Sequence, residues 1–294
     1  MIDQKKKILF IINPISGGNN KIEIIKSIPK LLDKSIFDVS ITHSKRAGHA
    51  AMIAKKAVDD NVDIVVAVGG DGSINEIGSQ LVNTQTVLGI VPCGSGNGLA
   101  RDLNIPLQYK NAIRLINNLK IKTIDVGVCN NQYFFSLTGV GFDAKVAYDF
   151  NRGKKRKFLG YIWAVLKDFF TTTDQYFDIE SENEKISGKF FFVTIANCSQ
   201  WGYNVKVAPN AKLNDGILSV IFCKKPSAFS IIPFGIKLLT GKIDRSKYIL
   251  IKNVTNISIS SKKNSFYHID GDAKGYFRLI NASILHDALK IVGK

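Results

Sequence analysis

Two textures of apolar residues run along the chain. Through the first 125 residues they fall in short unbroken runs rich in Ile and Val, at 7–12, 37–42, 62–68 and 86–91, as in strands buried on both faces. Between them Ala47, Ala50, Ala51, Ala54, Ala57 and Val58 recur at helical spacing, which predicts a helix lying on a sheet. Such alternation predicts a parallel sheet covered by helices, whose ligands bind beyond the carboxyl ends of the strands. From about Asp125 the segments shorten and fill with Tyr, Phe, Thr and Asn. Runs at 126–129 and 133–137 flank Asn130-Asn131-Gln132 as a hairpin. Further strands are expected at 189–196, 217–223, 248–251, 257–260 and 266–270, with helices at 158–170 and 227–239. The pattern divides the chain into an α/β domain, 1–125, and a mainly antiparallel β-rich domain, 126–294, whose extreme C-terminus is free to pack back on the first.

Composition narrows the picture. With 294 residues, 45% hydrophobic and 22% charged, the chain is neither disordered nor collagen-like and can bury two cores. Lys plus Arg number 40 against 24 Asp plus Glu, a net charge of +16, so an anionic partner is expected. Cys93, Cys129, Cys198 and Cys223 stand too far apart for a zinc ribbon or a Cys-x-x-Cys redox site, which predicts reduced thiols in a cytoplasmic protein. The apolar run at 8–12 is too short for a secretory core or a membrane span, and no transmembrane helix is expected.

The strongest chemical signal follows the third predicted strand: Val68-Gly69-Gly70-Asp71-Gly72-Ser73-Ile74-Asn75-Glu76. Glycines let the backbone approach a phosphate, and the helix start beyond them offers unpaired amides and a positive dipole end. Asp71 beside an anion calls for a cation such as magnesium, unless it merely caps the helix. A second glycine loop, Pro92-Cys93-Gly94-Ser95-Gly96-Asn97-Gly98, follows the fourth strand, and a third, Asn13-Pro14-Ile15-Ser16-Gly17-Gly18, follows the first. Three such loops on one sheet would open on one edge, as a nucleoside triphosphate site requires, although the P-loop signature is absent. Gly139-Val140-Gly141-Phe142-Asp143-Ala144 fits a loose dinucleotide pattern but lies after the sheet domain and reads as a decoy.

These motifs, with Asn214-Asp215-Gly216 and Asp270-Gly271-Asp272, come in the order found in lipid kinases, and the chain resembles the diacylglycerol kinase catalytic-domain family, sphingosine kinases included, along nearly its whole length. The resemblance implies a Rossmann-like, phosphofructokinase-like α/β domain followed by a β-sandwich domain. It implies an ATP site formed by Asn13, Pro14, Ser16, Gly17, Ser44, Gly69, Gly70, Asp71, Gly72, Ser73, Asn75, Gly94, Ser95 and Asn97, with Asp71 organising the catalytic Mg2+. Asp272 stands where relatives place the general base, usually a Glu, and here the carboxylate is one methylene shorter. A structural Mg2+ of bacterial relatives would map onto Asp215, Lys212 and Ile217, with Asp125 and Asp270 in a surrounding aspartate and water network. Read from the residues alone, Asp215 and Asp272 are equally good turn residues.

The expected activity is ATP-dependent phosphate transfer to the hydroxyl of a membrane lipid, with diacylglycerol and a sphingoid base both open because Gly98 replaces the Asp of many diacylglycerol kinases. A soluble-substrate kinase such as an NAD kinase, or a noncatalytic nucleotide- or membrane-binding relative, are the alternatives. Arg152, Lys154, Lys155, Arg156 and Lys157 lead into an aromatic, apolar run at 158–166, and Lys224-Lys225 precede a milder example at 231–234. Both suit peripheral contact with an anionic membrane at the inner face, the plain alternative being a solvated charge run beside a core helix. No nucleic-acid-binding motif is present, so specific binding to nucleic acid is not expected. A homodimer is compatible with this reading.

Overall fold

The computed structural model describes residues 5–17, 21–152 and 158–294, with the backbone alone at 150–152 and 158–164. Gly18 of the first glycine loop and the cations at 154–157 lie outside the described residues. The chain forms two compact units, Met1–Ile124 with Asp287–Lys294, and Asp125–His286.

In the first unit strands and helices alternate: β1 (Lys6–Ile12), α1 (Lys21–Leu31), β2 (Phe37–His43), α2 (His49–Asp59), β3 (Ile64–Gly69), α3 (Asp71–Gly78), β4 (Val87–Pro92), α4 (Gly98–Asp102) and α5 (Tyr109–Ile116). The strands are parallel in the order β4-β3-β1-β2, with Ile12 level with Val68 and Gly69 level with Pro92. β3 and β4 are buried along their full length, which is why their sequences show no polar alternation. α2 turns Ala50, Ala54 and Ala57 inward, and α1 turns Ile24 and Ile28. Alanine lets α2 lie close to the sheet, while each buried Ile contributes about 1.5–3 kcal/mol of apolar burial.

The second unit is mainly antiparallel. β5 (Ile121–Cys129) enters it and turns at Asn130 and Asn131, both at positive φ, into β6 (Gln132–Phe134). β7 (Leu137–Gly141), α6 (Phe142–Arg152), α7 (Phe158–Thr171), β8 (Gln175–Ser181), β9 (Lys185–Phe190), β10 (Phe192–Ala196) and β11 (Leu218–Cys223) follow. The unit continues with α8 (Ile231–Thr240), β12 (Ile249–Val254), β13 (Asn256–Ile269) and β14 (Asp272–Val292). Its strand order is β12-β11-β10-β7-β13-β14, with the β8-β9 hairpin paired to β13. One apolar cluster, including Phe134, Phe177, Val193, Val220, Ile259 and Ile280, fills one side. A second, built on Phe142, Phe169, Phe191 and Phe192, gathers α6 and α7, with Phe142 and Phe191 stacked at 4.3 Å.

Several elements differ from the sequence pattern for identifiable reasons. The run at 133–137 breaks into β6 and β7 because the amides of Phe135, Ser136 and Leu137 are taken by the Asp270 carboxylate. The runs at 257–260 and 266–270 are one strand, β13, with an irregularity between Ser260 and Ser265. α6, β8 and β14 were not legible, β14 because Asp272, Lys274, Arg278 and Asp287 interrupt its apolar positions. The 21-residue β14 leaves the second unit after His286, and Ile291 pairs in parallel with Leu88 of β4. None of the four cysteines forms a disulfide, and among the described residues no helix is long and apolar enough to cross a membrane.

Candidate active site

The first unit gathers its glycine loops at the carboxyl edge of the sheet. Asn13, just past β1, ties them together: its N–H donates to the Val68 carbonyl (3.1 Å) and its Nδ2 to Ser73 Oγ (2.9 Å). Its Oδ1 accepts the Ile15 N–H (3.0 Å), and Ser16 Oγ donates to the Asn13 carbonyl (3.0 Å), so the Asn-Pro-x-Ser turn is held by its own side chains. Ser44, buried just past β2, donates its N–H to the Ile12 carbonyl at the same edge.

Asp71 binds the second loop. Oδ2 accepts the Asn97 N–H and Oδ1 the Gly98 N–H, both at 2.8 Å, so this carboxylate of α3 caps the start of α4. Asn97, buried and at φ 52°, closes the loop by exchanging two hydrogen bonds with the Gly94 backbone, at 3.0 and 2.8 Å. Arg101 Nε adds a bond to the Gly96 carbonyl (2.9 Å). The loops touch where side chains are absent: a Cβ on Gly94 would lie 2.5 Å from Gly70 Cα. Gly72 and Ser95 are exposed, and Asn75 is half-buried on α3.

The helix start adds to the chemistry. α3 begins after Gly70, an N-cap residue with no side chain to bond the helix amides, and the positive dipole end of a helix favours an anion. The surrounding groups, from Asn13, Ser16, Ser73, Ser95 and Asp71, are hard oxygen and amide donors, a set that fits a polyphosphate with magnesium. Sequence reasoning missed Arg101, whose only signal is its charge, and gave no role to Glu76, the last residue of the glycine motif, whose Oε1 accepts the Ala50 and Ala51 amides at the start of α2 (3.0 and 3.2 Å).

Gly17 gives a direct test of this packing. At φ 64° its backbone is left-handed, and an added Cβ would sit 1.7 Å from the Cys93 carbonyl oxygen. Gly17→Ala is expected to cost about 2–3 kcal/mol through backbone strain and loop displacement, read as a lowered melting temperature. An unchanged value would mean that the first loop does not rest on the second.

In the second unit the tip of the β13-β14 hairpin is Asp270-Gly271, both at positive φ, the two-residue turn that Asp-Gly favours. The Asp270 carboxylate accepts the amides of Phe135 (2.9 Å), Ser136 (2.8 Å) and Leu137 (3.0 Å) and so works as a main-chain clamp. Asp272, two residues on, opens β14 opposite Ile269 and is exposed. Among the described residues its carboxylate has no hydrogen-bond or ion-pair partner. Beneath the tip, buried His268 accepts the Gly271 N–H at Nδ1 (3.3 Å), which assigns the proton to Nε2, facing Asp143 Oδ2 at 3.4 Å. Asp143 also accepts from Thr194 Oγ1 and the Ala144 N–H. The 139–144 glycine motif therefore carries β7 into α6 and seats a buried carboxylate in this network.

The second metal expectation maps to an exposed turn. Asp215 Oδ1 accepts the Ile217 N–H (3.2 Å), and Lys212 is exposed nearby in sequence. A carboxylate with main-chain carbonyls is a hard-oxygen set that suits magnesium. Fully buried Asp125 steadies the turn, accepting the Gly216 N–H at Oδ2 and facing His286 Nδ1 at Oδ1, both 2.7 Å. His286 was missed, since nothing in its sequence neighbourhood points to Asp125.

Comparison with known proteins finds matches along both units. Residues 7–129 match the diacylglycerol kinase catalytic domain, and residues 136–293 match the YegS C-terminal NAD kinase beta sandwich-like domain. The chain is 28% identical over 279 residues to the diacylglycerol kinase of Bacillus subtilis, covering 92% of this chain and 91% of that protein. It is 26% identical over 278 residues to that of Staphylococcus saprophyticus, covering 92% and 90%. The crystal structure of a diacylglycerol kinase from Bacillus anthracis superposes with a TM-score of 0.78 at 20% identity, over 98% of this chain and 97% of that one, a likeness of fold. An α/β unit with its glycine loops on one edge, an antiparallel β-sandwich behind it in sequence, and relatives aligned along both place the chain in the diacylglycerol kinase catalytic-domain family.

Proposed function

We propose that the protein is an ATP- and magnesium-dependent lipid kinase that phosphorylates the primary hydroxyl of diacylglycerol. The observation that carries this reading is the glycine-loop edge of the first unit, tied together by Asn13, Asp71 and Asn97 at the start of α3. The relatives aligned over nine-tenths of the chain are named diacylglycerol kinases, which favours diacylglycerol over a sphingoid base.

In this reading the amides of the loops and of α3 hold the phosphates of ATP. Magnesium supplies neutralisation of phosphate charge, and Asp71 and the hydroxyl and amide side chains around it are the residues that would hold it. The acceptor oxygen forms a bond to the γ-phosphorus as the bond to the ADP oxygen breaks, and the hydroxyl proton passes to the Asp272 carboxylate. The clamp at Asp270 and the bonds of His268 keep the hairpin that presents Asp272 in one conformation, so little is lost to reorganisation.

The test is transfer of labelled phosphate from ATP to a membrane lipid extract, with NAD and sphingoid bases as separate acceptors, and with magnesium present or chelated. The expected product is phosphorylated diacylglycerol, made only with magnesium. Labelled NAD, or no product from any lipid while ATP still binds, would overturn the reading.

A further inference from the structure

α8 carries apolar residues on two faces. Ile231 and Phe234 pack against the aromatic cluster of the second unit, and Phe234 meets Tyr248 edge-on at 6.4 Å. The other face is open: Phe229, in the 3-10 turn Ala228–Ser230 just before the helix, is 97% exposed, Ile232 75%, Ile236 56% and Leu239 58%. Positions 232, 236 and 239 follow helical i, i+4, i+7 spacing, so they form one stripe, which Phe229 extends by a turn. No residue of α8 is buried, and the helix has one charge, Lys237. A stripe of this size in water is unfavourable, and monomeric proteins seldom keep one without an occupant.

The charges around the stripe select that occupant. Between residues 224 and 247 the chain has Lys224, Lys225, Lys237, Lys242, Arg245 and Lys247 against one acid, Asp244. Lys225 is turned inward, bonded to the Thr172 carbonyl and lying over the Phe169 and Phe191 rings, whereas Lys224, Lys242, Arg245 and Lys247 are exposed. Lysine is depleted in the cores of protein interfaces, but its flexible stem lets an ammonium lie among anionic headgroups while apolar neighbours enter the acyl boundary. We infer that the α8 stripe, from Phe229 to Leu239, is a docking surface for an anionic lipid bilayer. The inference deepens the proposed reading, because a kinase acting on diacylglycerol meets its acceptor only at a bilayer.

Sedimentation with lipid vesicles tests the surface apart from the chemistry. The vesicles are phosphatidylcholine with phosphatidylglycerol, or phosphatidylcholine alone, and neither contains diacylglycerol. The unmodified chain is expected to bind the anionic vesicles and to be released in part by salt. Phe229→Ser, Ile232→Ser and Ile236→Ser combined should lower the partition coefficient at least about tenfold, with an unchanged melting temperature and unchanged phosphate transfer to detergent-solubilised diacylglycerol. Should the triple variant fold poorly, Phe229→Ser alone, at a side chain almost wholly in solvent, should still lose about threefold or more. Lys242→Glu with Lys247→Glu should lose about tenfold on anionic vesicles. Equal partition of the unmodified and apolar variants, failure of the unmodified chain to bind, or a dimer in solution that the triple variant dissolves would each overturn the inference. A chain that binds vesicles but transfers no phosphate to lipid would instead overturn the proposed function and leave this surface standing.

Discussion

Asp272→Asn is expected to keep the fold and ATP affinity while slowing phosphate transfer to lipid by about 10²–10⁴, the usual worth of general-base assistance. The separation of these effects follows from its position. Asp272 is exposed, follows a turn that Asp270 and Gly271 already specify, and contributes its backbone to the β13-β14 ladder whatever its side chain. Asparagine preserves the shape and removes the basic oxygen, so kcat should fall with little change in KM for ATP or in melting temperature. Asp272→Glu, one methylene longer, should retain transfer within about tenfold, because the exposed tip has room for it. Asp270→Ala is the contrasting variant: it deprives three backbone amides of an acceptor and should lower the melting temperature before any catalytic effect can be read. Full transfer by Asp272→Asn would show that the proton leaves by another route.

Asp71→Ala is expected to weaken the first unit by about 2–4 kcal/mol and to reduce transfer by at least about 10²-fold. Both carboxylate oxygens are engaged, each accepting an amide at 2.8 Å from the residues that start α4. Hydrogen bonds to a charged acceptor contribute about 1.5–3 kcal/mol each, and half-exposed Asp71 lets water recover part of that loss. Releasing the 94–98 loop moves Gly94 from its contact with Gly70, and displacing a phosphate-positioning loop by about 1 Å can cost about 10² in rate. Asp71→Asn should fall between the two, since the amide keeps one acceptor oxygen and turns an N–H₂ toward the second donor. Thermal melting with single-turnover transfer, measured on both variants, separates loop anchoring from any part Asp71 plays at the metal. Loss of transfer with an unchanged melting temperature would mean that the two amide bonds are not what the carboxylate supplies.

Much of the first unit was legible because its information is local. Ile- and Val-rich runs without alternation give buried parallel strands, an Ala stripe gives α2, and Gly-x-Gly after a strand gives a loop where the backbone can approach a ligand. The second unit was less legible because its strands alternate weakly and depend on distant partners. The break between β6 and β7 is set by Asp270, 135 residues from Phe135, and no window of sequence contains both.

The same division holds for the candidate site. The sequence by itself determined which loops carry glycine, that Asp71 lies at the start of a helix, and that Asp270-Gly271-Asp272 forms a tight turn, since each depends on backbone preferences within four or five residues. The tertiary structure alone decided how those carboxylates differ: Asp71 serves two amides of another loop, Asp270 serves three, Asp125 faces His286, and Asp272 is left facing solvent. It also decided that one apolar face of α8 packs on the aromatic cluster and the other is left open, although both are apolar in sequence. The physical reason is common to all of these. A residue's conformation is set largely by its neighbours along the chain, whereas the partner of a charge or an apolar face is set by whatever the fold brings beside it.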